Sequence, residues 1–422
     1  MSTLIFHPSV APHVQQDARA LLEAGLLEKL HTTLRYEPEC RWQKIAINLA
    51  RFARHDFDRD LRRRKVTELP AERVTGRPAG ELLRLLSARL DSSQRLGDLV
   101  WEWAETGFDR HVARHCLTSE ITAVFGYEHS SLATFEKARA TGRKIIYNVP
   151  APEPAFVQSM LERELDQFPE LKTPFYRHTF AREERRADRR KREWDAAGLV
   201  VAASRFTRDT FSRAGRDTGK VAVVPLGAPP PISPDEAVGG GSVSSKLSVL
   251  WAGTFGVRKG AHYLLEAWRR GRLGRHATLR IYGAVALPDR LLLPLPEGVE
   301  IGGSIPRDAL MSRYRESDVL IFPTLCDGFG MVATEAWSQG LPVITSDQAG
   351  CNDLLRDREN GLLVRTRDVD SLIASIEWCQ QNRAELHAMR AHARETAASW
   401  QWTDYRAALG SAVTRFLSGR QP

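Results

Sequence analysis

Cysteine is sparse in this sequence and nowhere paired. Five residues, Cys40, Cys116, Cys326, Cys351 and Cys379, lie far apart among 422, with no C-x-x-C spacing. So odd and scattered a set argues against a disulfide framework, offers no zinc-site spacing, and suits a reducing cytoplasm. Long apolar runs are missing as well: nothing approaches the ~20 residues that a membrane-spanning helix needs. Met1 to Val10 has no basic segment followed by an apolar one, so no secretory signal is expected. Lysine is rare, and arginine supplies most of the 60 basic residues; against 52 acids they leave a formal charge of +8. So modest and dispersed an excess suggests anionic partners such as phosphorylated small molecules or anionic lipid. It comes without an aromatic–basic reader motif, so nucleic acid is not an expected partner.

What is present is a chain 42% hydrophobic, long enough for two cores. Short apolar runs alternate with longer amphipathic stretches, the rhythm of an α/β protein with parallel sheets. Strands are expected at Leu4 to Phe6, Ala123 to Tyr127, Lys144 to Tyr147, Leu199 to Ala203 and Val221 to Val224. Helices are expected around Val14 to Leu27, Ser131 to Ala140 and, capped by Ser204, through Phe211. The Pro-, Gly- and Ser-rich stretch Pro229 to Lys246 reads as a linker, after which the rhythm restarts. Further strands then fall at Ser248 to Ala252, Thr278 to Tyr282, Val319 to Phe322 and Pro342 to Thr345, with helices between them. Two charge-rich stretches stand out. Arg182 to Glu193 mixes signs at helical spacing and reads as a solvated helix face. Arg62 to Lys65 has few acids immediately around it and is the better candidate for contact with an anionic membrane.

The chemistry concentrates between Val249 and Val364. VLWAGTFGVRKG is a strand, a glycine turn and two adjacent cations, Arg258 and Lys259, leading into a helix. That places both cations at the carboxyl edge of a parallel sheet, where they can neutralise a diphosphate. Further on, a strand ending at Phe322 runs into a loop with Asp327, Gly328 and Gly330, then a helix from Met331 to Gln339. Glycines allow close backbone approach, and a helix N-terminus favours a phosphate. Asp327 and Glu335 would be repelled by phosphate, so recognition of hydroxyls suits them better.

These residues carry a family resemblance. DGFGMVATE is similar to the E-x7-E element of the retaining glycosyltransferases of group 1 (family four), with Asp in the first acidic position. VLWAGTFGVRKG resembles their donor loop, and LRIYG, SDVLIFPT, GLPVITS and NGLLV follow in the family's order. The resemblance implies a GT-B fold, two Rossmann-like domains facing across a cleft. The domains would be 1–228 for the acceptor, 229–246 as linker, and 247–395 for the nucleotide-sugar. Residues 396–422, opening on Trp400 to Tyr405, would form a helix crossing back to the first domain. It further implies that Arg258 and Lys259 hold the donor diphosphate and Glu335 the ribose. Asp327 would face the transferred sugar, and Phe329, Gly330 and Met331 would supply loop contacts. No metal or other cofactor is expected, because two cations and a helix end balance the departing charge. Asp56-Phe57-Asp58 spells a D-x-D but sits in a charged, helix-like region and reads as surface.

Three positions depart from the family pattern. Asp327 is one methylene shorter than the usual Glu; His7 to His13 replaces a Gly-Gly; and Asn148-Val149-Pro150 stands where many members have a catalytic His. His129, His13 and Asn148 are therefore the acceptor-side candidates. The expected activity is transfer of a hexose from a UDP- or GDP-sugar to a glycan or lipid-linked acceptor, in surface polysaccharide or lipopolysaccharide synthesis. The alternative is an inactive relative that binds nucleotide-sugar or a protein partner.

Overall fold

A computed structural model describes every residue except 53–56, 63, 91–94, 173, 238–244 and 421–422. The first half holds a seven-stranded sheet: β1 (Thr3–Phe6), β2 (Leu27–Thr32), β3 (Val74–Gly76), β4 (Ala123–Tyr127), β5 (Lys144–Val149), β6 (Leu199–Ala202) and β7 (Val221–Val223). The second half holds six: β8 (Leu247–Ala252), β9 (Ala277–Tyr282), β10 (Val299–Gly303), β11 (Val319–Phe322), β12 (Val343–Ser346) and β13 (Gly361–Val364). The strand orders are 3-2-1-4-5-6-7 and 10-9-8-11-12-13, with parallel pairing throughout. Helices cover both faces, which is why runs such as Val319 to Phe322 are buried residue after residue. In each sheet the winding reverses beside the first strand, between β1 and β4 and between β8 and β11. The loops leaving those strands diverge there and open a crevice.

The strands expected from sequence are all present; β2, β3, β10 and β13 are additional. β2 (LEKLHT) is half polar and β3 has three residues, so neither carries a clear alternating or apolar signal. Also unanticipated is a set of helices between β2 and β4, comprising Arg41–Phe52, Phe57–Arg62, Ala79–Leu90 and Arg95–His115. Phe57 and Leu61 bury with Leu34 at its centre.

Two charge readings need correction. The Arg182 to Glu193 stretch lies on the helix Pro174–Ala196; Glu184, Arg185, Asp188, Lys191 and Arg192 do form a solvated face, but the opposite side is packed inward. Arg186 is 7% exposed and Glu193 fully buried. Arg182 and Arg186 pair with Glu102 and Asp98 of the helix Arg95–His115, and Arg189 with Asp109. Glu193 accepts from the amides of His129 and Ser131 and from the Tyr147 hydroxyl, at 2.9–3.1 Å. The acids that satisfy these arginines lie some 80 residues earlier, so local spacing gave no sign of them. Nor is Arg62 to Lys65 one patch: Arg62 pairs with Asp58, Arg64 turns inward to Glu81 at 2.6 Å, and Arg63 lies outside the described residues. Of the D-x-D, Asp56 lies outside them too, while Phe57 is core and Asp58 is the partner of Arg62.

Between the sheets the chain crosses twice. After β7, Ala228 bridges Gln401, and the Trp400 indole donates to Pro225 O at 2.8 Å. Of the Pro229 to Lys246 segment, Pro234–Ala237 forms a helical turn and 238–244 lie outside the described residues. The helix Pro154–Gln167, which follows β5, leans on the second half: Met160 and Leu165 join its core, and Glu164 pairs with His262 and Arg367. The last helix, Trp402–Leu417, returns to the helix Pro12–Glu23. There Asp17, fully buried, accepts from the Tyr127 hydroxyl at 2.5 Å, the Asn148 amide at 2.9 Å and the Tyr405 hydroxyl.

Burial raises the Asp17 carboxyl from 3.8 to about 7 against the pull of those three donors. The folded chain therefore keeps a proton that the unfolded chain releases above about pH 4. Stability contributed by this group falls as pH rises toward 7, then levels off. In urea titrations the wild type should lose stability relative to Asp17→Asn over that window; a constant difference would mean that Asp17 is ionised throughout. Tyr405→Phe, which strips Asp17 of one donor, should cost about 1–3 kcal/mol.

Candidate active site

The second sheet's crevice is built by the loops after β8 and β11. Past β8 the chain turns through Gly253 (φ 100°), a short 3-10 turn Val257–Lys259, and Gly260 (φ 78°) into the helix Ala261–Arg270. A Cβ on Gly260 would lie 2.0 Å from the Pro323 carbonyl oxygen, so the two loops touch backbone to backbone. The Arg258 carbonyl accepts from the Leu325 amide at 2.9 Å and the Thr324 hydroxyl at 3.1 Å, while its guanidinium donates to Cys326 O at 3.1 Å. Lys259 reaches the Asp327 carboxylate, with its ammonium 4.9 Å from the centre of the Phe322 ring. Burial, and then the Arg258 charge, push the Lys259 ammonium down to about 7.

The Asp327–Gly330 loop faces both domains. Asp327 is buried and accepts from the Phe329 amide at 3.2 Å. Gly328 has no room for a side chain: a Cβ there would sit 1.9 Å from Pro150 O of the first domain. Its carbonyl accepts from the hydroxyls of Ser204, at 2.6 Å, and Thr207, at 3.1 Å, also of the first domain. The Phe329 side chain joins the first domain's core, with Met331 packed against it, so Phe329 serves the joint between domains. Gly330 (φ 89°) starts the helix Met331–Ser338, which no side chain caps. Glu335 lies on this helix, 3.0 Å from Arg307 and 3.5 Å from the Tyr314 hydroxyl; burial raises its carboxyl above the usual range, and Arg307 opposes that. Arg258, Lys259, Asp327, Gly330, Met331 and Glu335 thus come from one pair of loops and the helix that follows.

The acceptor-side candidates separate. His129 (φ 69°) sets its ring edge-on to Trp101 at 5.3 Å, in a cavity of about 410 Å³ walled by Arg182, Arg186 and Arg189. Burial, then Arg190, Arg186 and Arg189, push it down to about 3. Asn148 is committed to Asp17. His13 packs 6.2 Å from Tyr127 and 6.3 Å from His7, and burial pushes it to about 3. A neighbouring cavity of about 640 Å³ opens instead at the ends of β1 and β4, lined by His7, Arg84, Trp101, Glu105 and Glu128 among others. Burial raises Glu105 to about 8 and Glu128 to about 7, and lowers His7 to about 4. His7 and Glu128 each stand one residue past a strand at the switch point, the signal that would have selected them. Trp101 and Glu105 had none, because their helix belongs to the unanticipated insertion.

Two Rossmann-like domains with a crevice at each switch point define the GT-B architecture, and this chain has that fold. Residues 246–382 match the family of group 1 glycosyl transferases. An uncharacterised glycosyltransferase of Methanocaldococcus jannaschii is 28% identical over 134 residues, 31% of this chain and 34% of that protein. The chain thus matches about a third of the length of that relative. In fold it is similar to sucrose-phosphate synthase from Thermosynechococcus elongatus (TM-score 0.65, 16% identity, 99% of this chain and 100% of that one). It is also similar to HepE of Anabaena in complex with UDP-glucose (TM-score 0.59, 16% identity, 98% and 99% of the two chains).

Because a Cβ on Gly328 would overlap Pro150 O, Gly328→Ala should force the domains apart there. Small-angle scattering should give a larger radius of gyration than wild type; an unchanged radius would mean that the loop yields without moving the domains.

Proposed function

We propose that this protein is a retaining, metal-independent hexosyltransferase that uses a UDP- or GDP-sugar. The observation that carries the reading is the convergence of two cations, an uncapped helix start and two acids on the β8–β11 switch point. UDP and UDP-glucose in the solved HepE structures support a nucleotide-sugar donor for this chain. Arg258, Lys259 and the first amides of the helix Met331–Ser338 would hold the diphosphate, and Glu335 the ribose. The bond from the anomeric carbon to the phosphate oxygen breaks with its electron pair left on the diphosphate. Those positive groups stabilise that growing charge, the service a metal ion would otherwise give. The acceptor hydroxyl bonds to the same face of the sugar, and its proton passes to the departing phosphate. Asp327 holds Lys259 until the diphosphate replaces it, and then faces the sugar hydroxyls.

The acceptor enters at the β1–β4 crevice, where the Trp101 ring offers a surface for a sugar and Glu105 and Glu128 offer hydrogen bonds. We take it to be a glycan or lipid-linked sugar of surface polysaccharide or lipopolysaccharide synthesis, reached from the cytoplasm. No described helix is long and apolar enough to cross a membrane. Exposed Trp42 and Ile45, beside Arg41 and Lys44, suit peripheral contact with an anionic surface. The alternative of an inactive relative has no observation in its favour.

A thermal-shift panel of UDP, GDP, ADP and TDP in EDTA tests the donor site. A nucleotide at a hundredfold its dissociation constant adds about 2.7 kcal/mol, and the shift should shrink in Glu335→Ala. No shift with any nucleotide would overturn the reading. Lys259→Ala should lower kcat about 10²–10³-fold, as loss of one transition-state charge partner does; an undiminished kcat would remove Lys259 from the mechanism.

A further inference from the structure

Away from both crevice loops, the edge of the first sheet gathers a second set of chemically competent side chains. His31 on β2 stands opposite Thr75 on β3 and is 6% exposed. On the other side of the imidazole is the C-terminal end of the helix Arg95–His115. The His31 ring stacks on Phe108 and His111, each at 5.5 Å between ring centres, and Cys116 follows directly after the helix. One ring nitrogen of His31, one of His111 and the Cys116 sulfur all lie within 4.8 Å of one another. His115, one turn beyond His111, has its ring 4.8 Å from that of His111.

We propose that His31, His111 and Cys116 bind a zinc ion. The second observation behind this is the state of His31. Its Nδ1 is 2.8 Å from the Thr75 hydroxyl, whereas its Nε2 is buried and has no hydrogen-bond partner, not even the neighbouring thiol. An orphaned buried nitrogen is costly in a packed core. With the Nδ1 proton given to Thr75, Nε2 presents a bare lone pair, the arrangement by which an outer hydrogen bond fixes the tautomer of a metal-binding histidine. Burial also lowers the pKa values of His31 and His111, in the direction of the neutral form that ligates. Mixed nitrogen and thiolate ligands select a borderline metal such as zinc over magnesium or calcium.

A tetrahedral zinc ion would set such ligand atoms about 3.3–3.6 Å apart, so the three must draw in by about an ångström. His111 and Cys116 are only partly buried, which gives them room to move and gives the ion an entry from solvent. On binding, the Cys116 thiol forms a sulfur–zinc bond and releases its proton to water. Burial raises the Cys116 thiol and Lys29 opposes that, so the bond to the metal must displace the proton; Arg77 favours the neutral form of both imidazoles and opposes the incoming charge. A water or His115 completes the shell. The ion would clip β2 to the end of the helix that carries Trp101 and Glu105, bracing one wall of the cavity at β1 and β4. No C-x-x-C spacing announced this site; His111 and His115 stand at H-x3-H spacing just before Cys116, but the buried ligand His31 lies on a strand 80 residues earlier.

Cobalt titration of the chelator-stripped full-length protein tests the proposal. One Co²⁺ per chain should bind with a thiolate-to-cobalt charge-transfer band, and Zn²⁺ should bleach it. Cys116→Ser, a conservative change at a partly exposed position, should abolish the band. Thr75→Val should weaken binding about 10–100-fold through the lost outer hydrogen bond. Zn²⁺ should raise the melting temperature of the wild type but not of Cys116→Ser or His111→Ala, each first shown by circular dichroism to be folded. Absence of the band in the wild type, or its persistence in folded Cys116→Ser, would overturn the site. The donor test is read in EDTA, so the two results stand apart.

Discussion

The carbonyl of Gly328 is the point on which the arrangement of this molecule turns. It accepts hydroxyl hydrogen bonds from Ser204 and Thr207, while the α-carbon beside it lies against Pro150 with no space for a side chain. One residue earlier, Asp327 touches Lys259; one residue later, Phe329 enters the first domain's core. The loop that holds an acid in the second domain's crevice is therefore also the joint between domains. The acid that touches Lys259 is thus one residue from the contact between domains.

Arginine explains much of the rest. The formal charge of +8 suggests a basic surface, yet many of the arginines are spent inside the protein. Arg182, Arg186 and Arg189 bind the acids of a neighbouring helix, Arg64 and Arg84 hold Glu81, and Arg367 holds Glu164 across the domains. Guanidinium suits this work because its fixed fork can satisfy two carboxylates at once and is less strongly hydrated than an ammonium. The lysine of the donor loop has the opposite assignment. It is a point charge, desolvated beside Arg258 and held by a single carboxylate, which leaves it exchangeable for a phosphate.

The first domain's crevice is lined differently. Its carboxyl groups, Glu105 and Glu128, are raised by burial toward neutrality, so they can donate as well as accept hydrogen bonds. Beneath it, Asp17 ties the helix after β1 to the ends of β4 and β5 and to Tyr405 of the last helix. The strand ends that shape one crevice and the helix that closes the chain thus share a single buried carboxyl group.

The sequence by itself determined the parallel α/β class, most strands, most helices of the second half (though not Arg383–Ser399) and the composition of the donor loops. These are local properties: apolar runs, glycine turns and cations just beyond strand ends, all within stretches of a dozen residues. Tertiary structure alone decided what His129, Asn148 and His13 do, because each is claimed by partners distant in the chain: Trp101, Asp17 and Tyr127. It also decided that one side of Arg182 to Glu193 is interior, since the acids that make burial tolerable lie some 80 residues earlier. Spacing reports which face of an element is apolar; whether a charge is paired depends on what packs against it, and only the folded chain supplies that.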